Sequence, residues 1–187
     1  MNHDSLLIAS IVGGVASELT GGKFGDGMVI GAFAYVSGRA AKAIKEARKA
    51  GQIYVTGHRV GKVGPYHLAI EYDDGDNPQV LSAAPEDGLL LSNPNRASDK
   101  PEVNVAVGIV EPPAGMSAGS YFTHLQQADY RYCDCLDYDL FPGIMNSFNS
   151  NSYVHGLINA TGGTTSVDFN RYVGGPKPVP PQYFGGP

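Results

Sequence analysis

The sequence predicts an α+β fold, in which a small antiparallel sheet packs against helices behind a separate glycine-rich helical segment. Three observations predict it. Strand-like runs joined by turns begin near residue 52, and the stretches 117–128 and 149–163 have apolar residues at helical spacing. The composition of residues 1–50 differs from that of the rest. We therefore divide the chain into a helical segment, 1–50, and a second domain, 51–187.

The composition narrows the classes of function. The chain has 187 residues, enough for one domain with an appendage, and a formal net charge of −5, which argues against a nucleic-acid target. No run of about eighteen apolar residues is present, so we expect no ordinary membrane span. Cys133 and Cys135 are separated by one residue. That spacing is too short for an ordinary disulfide and two thiols are too few for zinc, so we expect packed cysteines, no metal and no cofactor.

The first fifty residues are predicted to be helical. Residues 5–40 contain two apolar runs punctuated by glycine, and residues 40–50 are rich in Ala, Lys, Glu and Arg. Glycine lets backbones approach closely, so we expect short packed helices followed by a solvent-exposed helix. Each apolar run is too short to cross a bilayer. A membrane-interacting hairpin is the alternative for this segment.

Four strands are predicted from alternation, from β-branched residues and from the turn residues at 73–78 between the second and the third. They are Ile53–Thr56, His67–Tyr72, Gln79–Ala83 and Val103–Val110. The alternation of the second strand sends His67, Ala69 and Glu71 to one face of the sheet. If the turn is centred near Asp74-Gly75-Asp76, Ser82 on the returning strand is a near neighbour of His67.

Two helices are predicted in the second domain, with an irregular tail after them. Ser117–Ala128 has Phe122 and Leu125 at positions that face inward. The tail from Tyr172 to Pro187 is rich in Pro and Gly, so it is expected to lie extended and to be held by aromatic side chains.

The second helix is the stretch on which the functional prediction depends. Small polar residues at 149–152 precede apolar residues at helical spacing, and the pair Gly162-Gly163 ends the pattern. Ser150 falls at or just before the first turn, where unpaired N–H groups and the helix dipole favour negative charge. A nucleophile would be stabilised there, although a plain N-cap is the simpler role for this serine.

Hydrolysis by a nucleophile also needs a base and a group that orients the base. We predict Ser150 as nucleophile, His67 as base and Ser82 as the orienting group. His155, one helical turn from Ser150, is the second candidate for the base, and a hairpin histidine satisfied by solvent is the alternative role for His67. His58 has no predicted role beyond a surface position.

The start of the same helix is predicted to supply the substrate and oxyanion contacts. Its polar residues Asn149, Asn151 and Ser152 surround the nucleophile, and N–H groups of the first turn can hold a developing oxyanion.

A first resemblance lies in the glycine-rich segment. Gly13–Phe24, followed by Gly31–Tyr35, resembles the segment before the C-terminal toxin of bacterial polymorphic toxins, including Rhs-type effectors delivered by secretion systems such as type VI. This resemblance implies a toxin released from a larger delivery protein into a target bacterial cell, with the periplasm or the inner membrane as its place of action. It also implies a dedicated immunity protein as partner.

A second resemblance covers residues 67–160. His67-Leu68-Ala69-Ile70, the polar Ser82 on the returning strand, and Asn149-Ser150-Asn151-Ser152-Tyr153-Val154 resemble the motifs of the permuted papain-like group. That group comprises circularly permuted NlpC/P60 proteins, including lecithin:retinol acyltransferase-like enzymes. In it the histidine precedes the nucleophile in the chain. Ser150 stands in the place of the family's cysteine.

Together the resemblances imply an antibacterial toxin that hydrolyses acyl bonds. Phospholipid esters are the preferred substrate, and peptidoglycan or peptide amides are the alternative within the same fold. A different class, a non-catalytic module whose segment 5–38 inserts into a membrane, is the competing hypothesis.

Overall fold

The structure, a computed structural model, describes residues 51–61, 64–74, 78–99, 104–143 and 146–185. Lys49–Pro187 forms one compact unit. The described residues have a mixed α+β fold with two helices and two sheets. The predicted α+β class and the two predicted helices are confirmed, but the sequence predicts a single small antiparallel sheet where the structure has two. The predicted glycine-rich segment 1–50, and the toxin-like motif within it, lie outside the described residues.

Nine short strands make the two sheets. They are β1 (Gln52–Arg59), β2 (Tyr66–Asp73), β3 (Gln79–Leu81), β4 (Ala83–Glu86), β5 (Leu89–Ser92), β6 (Val105–Glu111), β7 (Leu136–Tyr138), β8 (Ser147–Phe148) and β9 (Thr164–Thr165). The first sheet has the order β3-β2-β1-β6-β9, and all its neighbours are antiparallel. The second sheet has the order β4-β5-β7-β8, with a parallel last pair.

Ser82 marks the point where the chain leaves the first sheet for the second. The sequence predicts one strand over Gln79–Ala83, but the structure divides it into β3 and β4 around this residue. Its hydroxyl is buried and bonded away from the strand ladder, so the chain can turn here without leaving a polar group unpaired.

Two helices, α1 (Ala118–Tyr130) and α2 (Ser150–Ala160), pack against the sheets. Each begins at a side-chain cap: Ser117 accepts from the N–H of Ser120, and Asn149 caps α2. Gly162, with φ of +76°, follows the end of α2 in the left-handed region, as the predicted glycine stop requires. In the described part of the chain, neither helix is long and apolar enough to cross a membrane.

The core lies between the first sheet and the helices. It includes the predicted inward positions Phe122 and Leu125 of α1 together with Leu68 and Ile70 of β2. Tyr72 of β2 stacks on Phe122 with ring centroids 4.9 Å apart. Because alternate residues of a strand point to opposite faces, this packing leaves His67 on the other face of β2.

The C-terminal tail packs onto α2, and it contains one regular turn that the sequence does not predict. Phe184, in a 3₁₀ turn over Pro181–Phe184, is buried against Tyr132 and Tyr153. The predicted aromatic clamp is therefore present at this position.

The expectation of unbonded cysteines is wrong, because Cys133 and Cys135 form a disulfide. Their Cα atoms lie 5.1 Å apart, within the range that a disulfide spans. Asp134 between them adopts φ of +48°, which turns the backbone sharply enough to bring the sulfurs together.

Candidate functional site

His67 lies at the start of β2 and is almost fully buried, with 5% of its surface exposed. It is the register partner of His58 on β1, and the two rings lie 5.3 Å apart. Residues directly opposite each other in an antiparallel pair share a face, so both imidazoles belong to one polar cluster.

A buried carboxylate that the sequence analysis does not identify holds the ring of His67. Asp99 Oδ2 lies 3.2 Å from His67 Nε2, and the Asp99 side chain has no exposed surface. Burial by itself raises the pKa of Asp99. The hydrogen bond and charge of His67, the hydroxyl of Ser82 and the charge of Arg96 outweigh burial and lower that pKa to about 2.

The ionised state of Asp99 fixes the tautomer of the neutral imidazole. A carboxylate can only accept hydrogen bonds, so the proton on the near side of the ring sits on His67 Nε2. The lone pair of the neutral ring is then on Nδ1. Nδ1 is therefore the atom of His67 that can accept a proton from another group.

The role of Ser82 differs from the predicted one. Its Oγ lies 2.6 Å from Asp99 Oδ2 and 3.0 Å from the carbonyl of Asn93, and the structure gives it no hydrogen bond to His67. A hydroxyl has one proton, and the nearer, charged acceptor takes it. Ser82 therefore contacts Asp99, and Asp99 in turn contacts His67. The sequence predicts a direct contact between Ser82 and His67 instead.

His58 belongs to this cluster rather than to the surface. Its Nδ1 donates to Asn104 Oδ1 over 2.8 Å, and Asn104 Nδ2 donates to the main-chain carbonyl of Asp99 over 2.8 Å. The His58 ring nitrogen also lies 3.8 Å from Asp99 Oδ1. These contacts fix the 3₁₀ turn Ala97–Asp99 that carries the carboxylate.

Ser150 is the first helical residue of α2, and Asn149, not Ser150, is the N-cap. Asn149 Oδ1 accepts from the N–H groups of Asn151 and Ser152, each over 3.0 Å. The N–H of Tyr153 donates to the Asn149 carbonyl. The remaining first-turn amide, that of Ser150, has no hydrogen bond within the described residues, so it alone is available for an oxyanion.

The predicted substrate contacts are engaged elsewhere. The amide nitrogen of Asn149 donates to the carbonyls of Leu140 and Val173, and Ser152 Oγ donates to the carbonyl of Gly174 over 2.9 Å. Hydrogen bonds that are already made inside the protein leave these side chains no free donor for a substrate.

Asn151 fastens the start of α2 to the start of β2. Its Oδ1 accepts from the N–H of Leu68 and its Nδ2 donates to the carbonyl of Tyr66, both over 2.9 Å. β3 pairs only with the farther end of β2, so the side-chain amide takes the place of a neighbouring strand opposite His67. Ser150 precedes Asn151 directly, and this pairing brings the two chain segments that carry the predicted nucleophile and base together.

No hydrogen bond joins Ser150 and His67 directly in the described part of the chain. Ser150 Oγ and His67 Nδ1 both lack a hydrogen-bond partner there, and neither is among the fully buried unpaired polar atoms. Ser150 is itself 6% exposed. The Ser150 hydroxyl and His67 Nδ1 are thus each available for a hydrogen bond to a further group.

His155, the second predicted base, has a different environment. Its Nδ1 hydrogen-bonds to the carbonyl of Gly175 over 2.7 Å, and its ring stacks on Phe169 at 4.1 Å. Both contacts are with the segment that follows α2, so this histidine packs the C-terminal region.

The described residues contain no group of three or more His, Cys, Asp or Glu side chains that could hold a metal ion.

Comparison of the chain with known protein families, with curated proteins and with solved structures finds no match.

Proposed function

We propose that residues 51–187 form a serine acyl hydrolase of permuted papain-like type, with Ser150 as nucleophile, His67 as base and Asp99 as the group that orients His67. The observation that carries the proposal is the buried pair of His67 Nε2 and the ionised Asp99 Oδ2. It directs the basic Nδ1 away from the carboxylate and would stabilise the imidazolium that forms during catalysis.

In the first half of the reaction Ser150 Oγ attacks the acyl carbon. Its proton passes to His67 Nδ1, and the carbonyl electron pair moves onto oxygen. The Ser150 N–H and the positive end of the α2 dipole stabilise that oxyanion. When the intermediate collapses, the bond to the leaving alcohol breaks and His67 returns the proton to the alcohol oxygen. An acyl ester of Ser150 and a free alcohol result.

In the second half water takes the place of the alcohol. His67 Nδ1 accepts a proton from water as the water oxygen attacks the acyl-serine carbon. Collapse of the second intermediate breaks the bond to Ser150 Oγ, which recovers its proton from His67. The products are a carboxylic acid and the original enzyme, and no redox partner or metal is needed for the balance.

Phospholipid esters are the substrate we favour, and peptide amides are the alternative. An ester has a better leaving group than an amide, so a serine with a single helix amide for the oxyanion suits the ester. The biological context we propose is an antibacterial toxin, secreted as part of a larger protein and neutralised by an immunity protein. That context rests on the sequence of residues 13–35, which lie outside the described residues.

The proposal is tested with vesicles of phosphatidylglycerol and phosphatidylethanolamine. Purified protein should release free fatty acid, and Ser150→Ala and His67→Ala should each lower the rate by about 10³-fold or more. Ser120→Ala, at an exposed serine in the first turn of α1, is the matched control and should be fully active. Release of muropeptides from peptidoglycan, with no hydrolysis of the vesicle lipids, would show that the substrate is an amide and not a phospholipid ester.

The competing hypothesis of a non-catalytic membrane module makes the opposite prediction. Expression of the whole chain with export to the periplasm of a bacterial host should stop growth, and Ser150→Ala should restore it. Toxicity that persists in Ser150→Ala and in His67→Ala, but is lost when residues 5–38 are deleted, would refute the hydrolase.

A further inference from the structure

A cavity of about 410 Å³ lies beside the start of β2. This volume falls within the range of about 300–1,000 Å³ that small-molecule sites occupy. Its walls come from the end of β1, the start of β2, β6 and the segment that follows Phe169. The lining residues are Arg59, Pro65, Tyr66, Val107, Arg171, Tyr172 and Val173.

The cavity has two cationic side chains and no acidic lining residue. Arg59 lies over the ring of Tyr66, with its guanidinium carbon 5.1 Å from the ring centroid, and one of its nitrogens donates to the carbonyl of Gly64. Neither Arg59 nor Arg171 forms an ion pair in the part of the chain that the structure describes. Two guanidinium groups without carboxylate partners in the lining of one cavity favour an anion in it.

The two tyrosines of the cavity add neutral donors. Their rings meet edge to face, with centroids 6.1 Å apart. Burial raises the pKa of Tyr172, so its hydroxyl stays protonated at neutral pH and can donate a hydrogen bond. Donors from several directions suit a tetrahedral oxyanion, whereas a planar carboxylate is satisfied by one bidentate arginine.

The cavity is attached to the helix that carries Ser150. Asn151 Nδ2 donates to the main-chain carbonyls of Tyr66 and Val173, which lie on two different walls, each over 2.9 Å. The residue that follows Ser150 therefore holds both walls in place.

We infer that this cavity binds the phosphate group of a phospholipid substrate and thereby presents the acyl ester to Ser150. The inference rests on the proposed function, since it assigns the substrate class of the same site. Arg59 and Arg171 hold the phosphate oxygens, and the neighbouring Tyr66 and Tyr172 supply the neutral donors.

A binding measurement tests the inference without any turnover. sn-Glycerol 3-phosphate is titrated into the Ser150→Ala protein by calorimetry and by ³¹P NMR. We expect binding that weakens about 10-fold or more in Arg59→Gln and in Arg171→Gln, because each removes charge-assisted hydrogen bonds. Arg131→Gln is the matched control, since Arg131 is exposed in the turn after α1, outside the cavity. No binding, or equal loss in all three variants, would overturn the inference.

A kinetic measurement assigns the phosphate to the substrate. Dihexanoyl phosphatidylglycerol and the neutral dihexanoylglycerol are compared as substrates. We expect the ratio of their kcat/KM values to fall about 100-fold in the Arg59→Gln/Arg171→Gln double variant. An unchanged ratio would overturn the inference. In a competition experiment, displacement of glycerol phosphate by a muramyl peptide at a lower concentration than phosphatidylglycerol requires would also overturn it. Binding of glycerol phosphate without hydrolysis of either ester would refute the proposed hydrolase but leave the phosphate site standing.

Discussion

Asp99 shows how a single side chain can determine the chemistry of its neighbour. It has no exposed surface, yet three groups keep it ionised, and it accepts a hydrogen bond from His67 Nε2–H. An amide at this position could present its nitrogen to the ring and stabilise the opposite tautomer, with the lone pair on Nε2. The carboxylate therefore determines which nitrogen of His67 carries the lone pair, in addition to supplying a negative charge beside the ring.

Replacement of Asp99 by Asn should lower kcat by about 10³–10⁴-fold with little change in KM, because the wrong tautomer faces Ser150. Ser82→Ala removes only the hydrogen bond to the carboxylate, so its loss should be nearer to 10-fold. Steady-state kinetics on a soluble short-chain ester measures both. Equal losses in the two variants would mean that Asp99 does not act through the imidazole.

The pKa of Asp99 also predicts an acid dependence of stability. The value is lowered from 3.8 to about 2 in the folded protein, so the ionised form stabilises the fold by about 2 kcal/mol. This stabilisation is fully present above pH 3.8 and is lost as the pH falls through about 2. In urea unfolding at pH 6, wild type should therefore have a higher free energy of unfolding than Asp99→Asn. This difference should disappear as the pH falls from 3.8 to about 2.

The control for the acid dependence is Asp137→Asn, which changes an exposed carboxylate on β7. It should follow the wild-type curve at every pH. A difference in free energy of unfolding between wild type and Asp99→Asn that persists at pH 2 would contradict the assignment of the acid dependence to Asp99. The same difference in Asp137→Asn would also contradict it.

At the scale of the elements, Asn151 decides how α2 meets β2. Its one side chain satisfies the N–H of Leu68, the carbonyl of Tyr66 and the carbonyl of Val173. Asn151 is 1% exposed, so these groups have no water to replace the amide. The contact holds the start of α2 in register with the start of β2.

Asn151→Leu should therefore lower the free energy of unfolding by about 3 kcal/mol, since it leaves buried backbone groups unpaired. It should also lower kcat, because Ser150 loses its fixed position relative to His67. Asn159→Leu, the same change at an exposed position of α2, is the control and should leave both quantities near wild type. Chemical denaturation and ester kinetics measure the two effects. Full activity in Asn151→Leu would show that this amide does not position the site.

At the scale of the whole molecule, the C-terminal tail completes the fold around α2. Val179 donates its N–H to the carbonyl of Ser152 and packs fully buried against Gly156. A Cβ at Gly156 would lie 2.4 Å from the Val179 carbonyl oxygen and 2.8 Å from its nitrogen. Glycine is therefore required at this crossing of the helix and the tail.

Gly156→Ala should displace the tail and destabilise the protein by about 1–3 kcal/mol, because backbone atoms and not a flexible side chain meet the new methyl group. Gly143→Ala is the matched control, since a Cβ there meets nothing within 4 Å. Thermal unfolding should show a lower Tm for the first variant only. Unchanged melting of Gly156→Ala would contradict this packing.

Three strands of the first sheet and both helices could be predicted from local pattern, whereas the second sheet is not among the predicted elements. The strands around Ile53, His67 and Val105 and the helices at 118–130 and 150–160 have the alternation, spacing and caps that determine them. The division of the third strand at Ser82 could not be predicted, because it follows from a hydrogen bond to a carboxylate 17 residues away in sequence.

The candidate site was predicted only in part for the same reason. Ser150 and His67 carry local signals, a helix start and a strand start. Asp99 lies in a polar loop whose pattern resembles any solvated turn, and only long-range burial gives it a role. No local signal distinguishes Asp99 from the other carboxylates of that loop, Glu86, Asp87 and Glu102.

Labelling of the whole chain with an alkyl fluorophosphonate, followed by peptide mass spectrometry, tests whether Ser150 is a nucleophile that His67 activates. We expect one phosphonylated residue, Ser150, with a labelling rate that falls at least about 10²-fold in His67→Ala and in Asp99→Asn. Ser120→Ala should label like wild type. Absence of label on Ser150, or labelling of Ser150 at the same rate when His67 is removed, would contradict this role of Ser150.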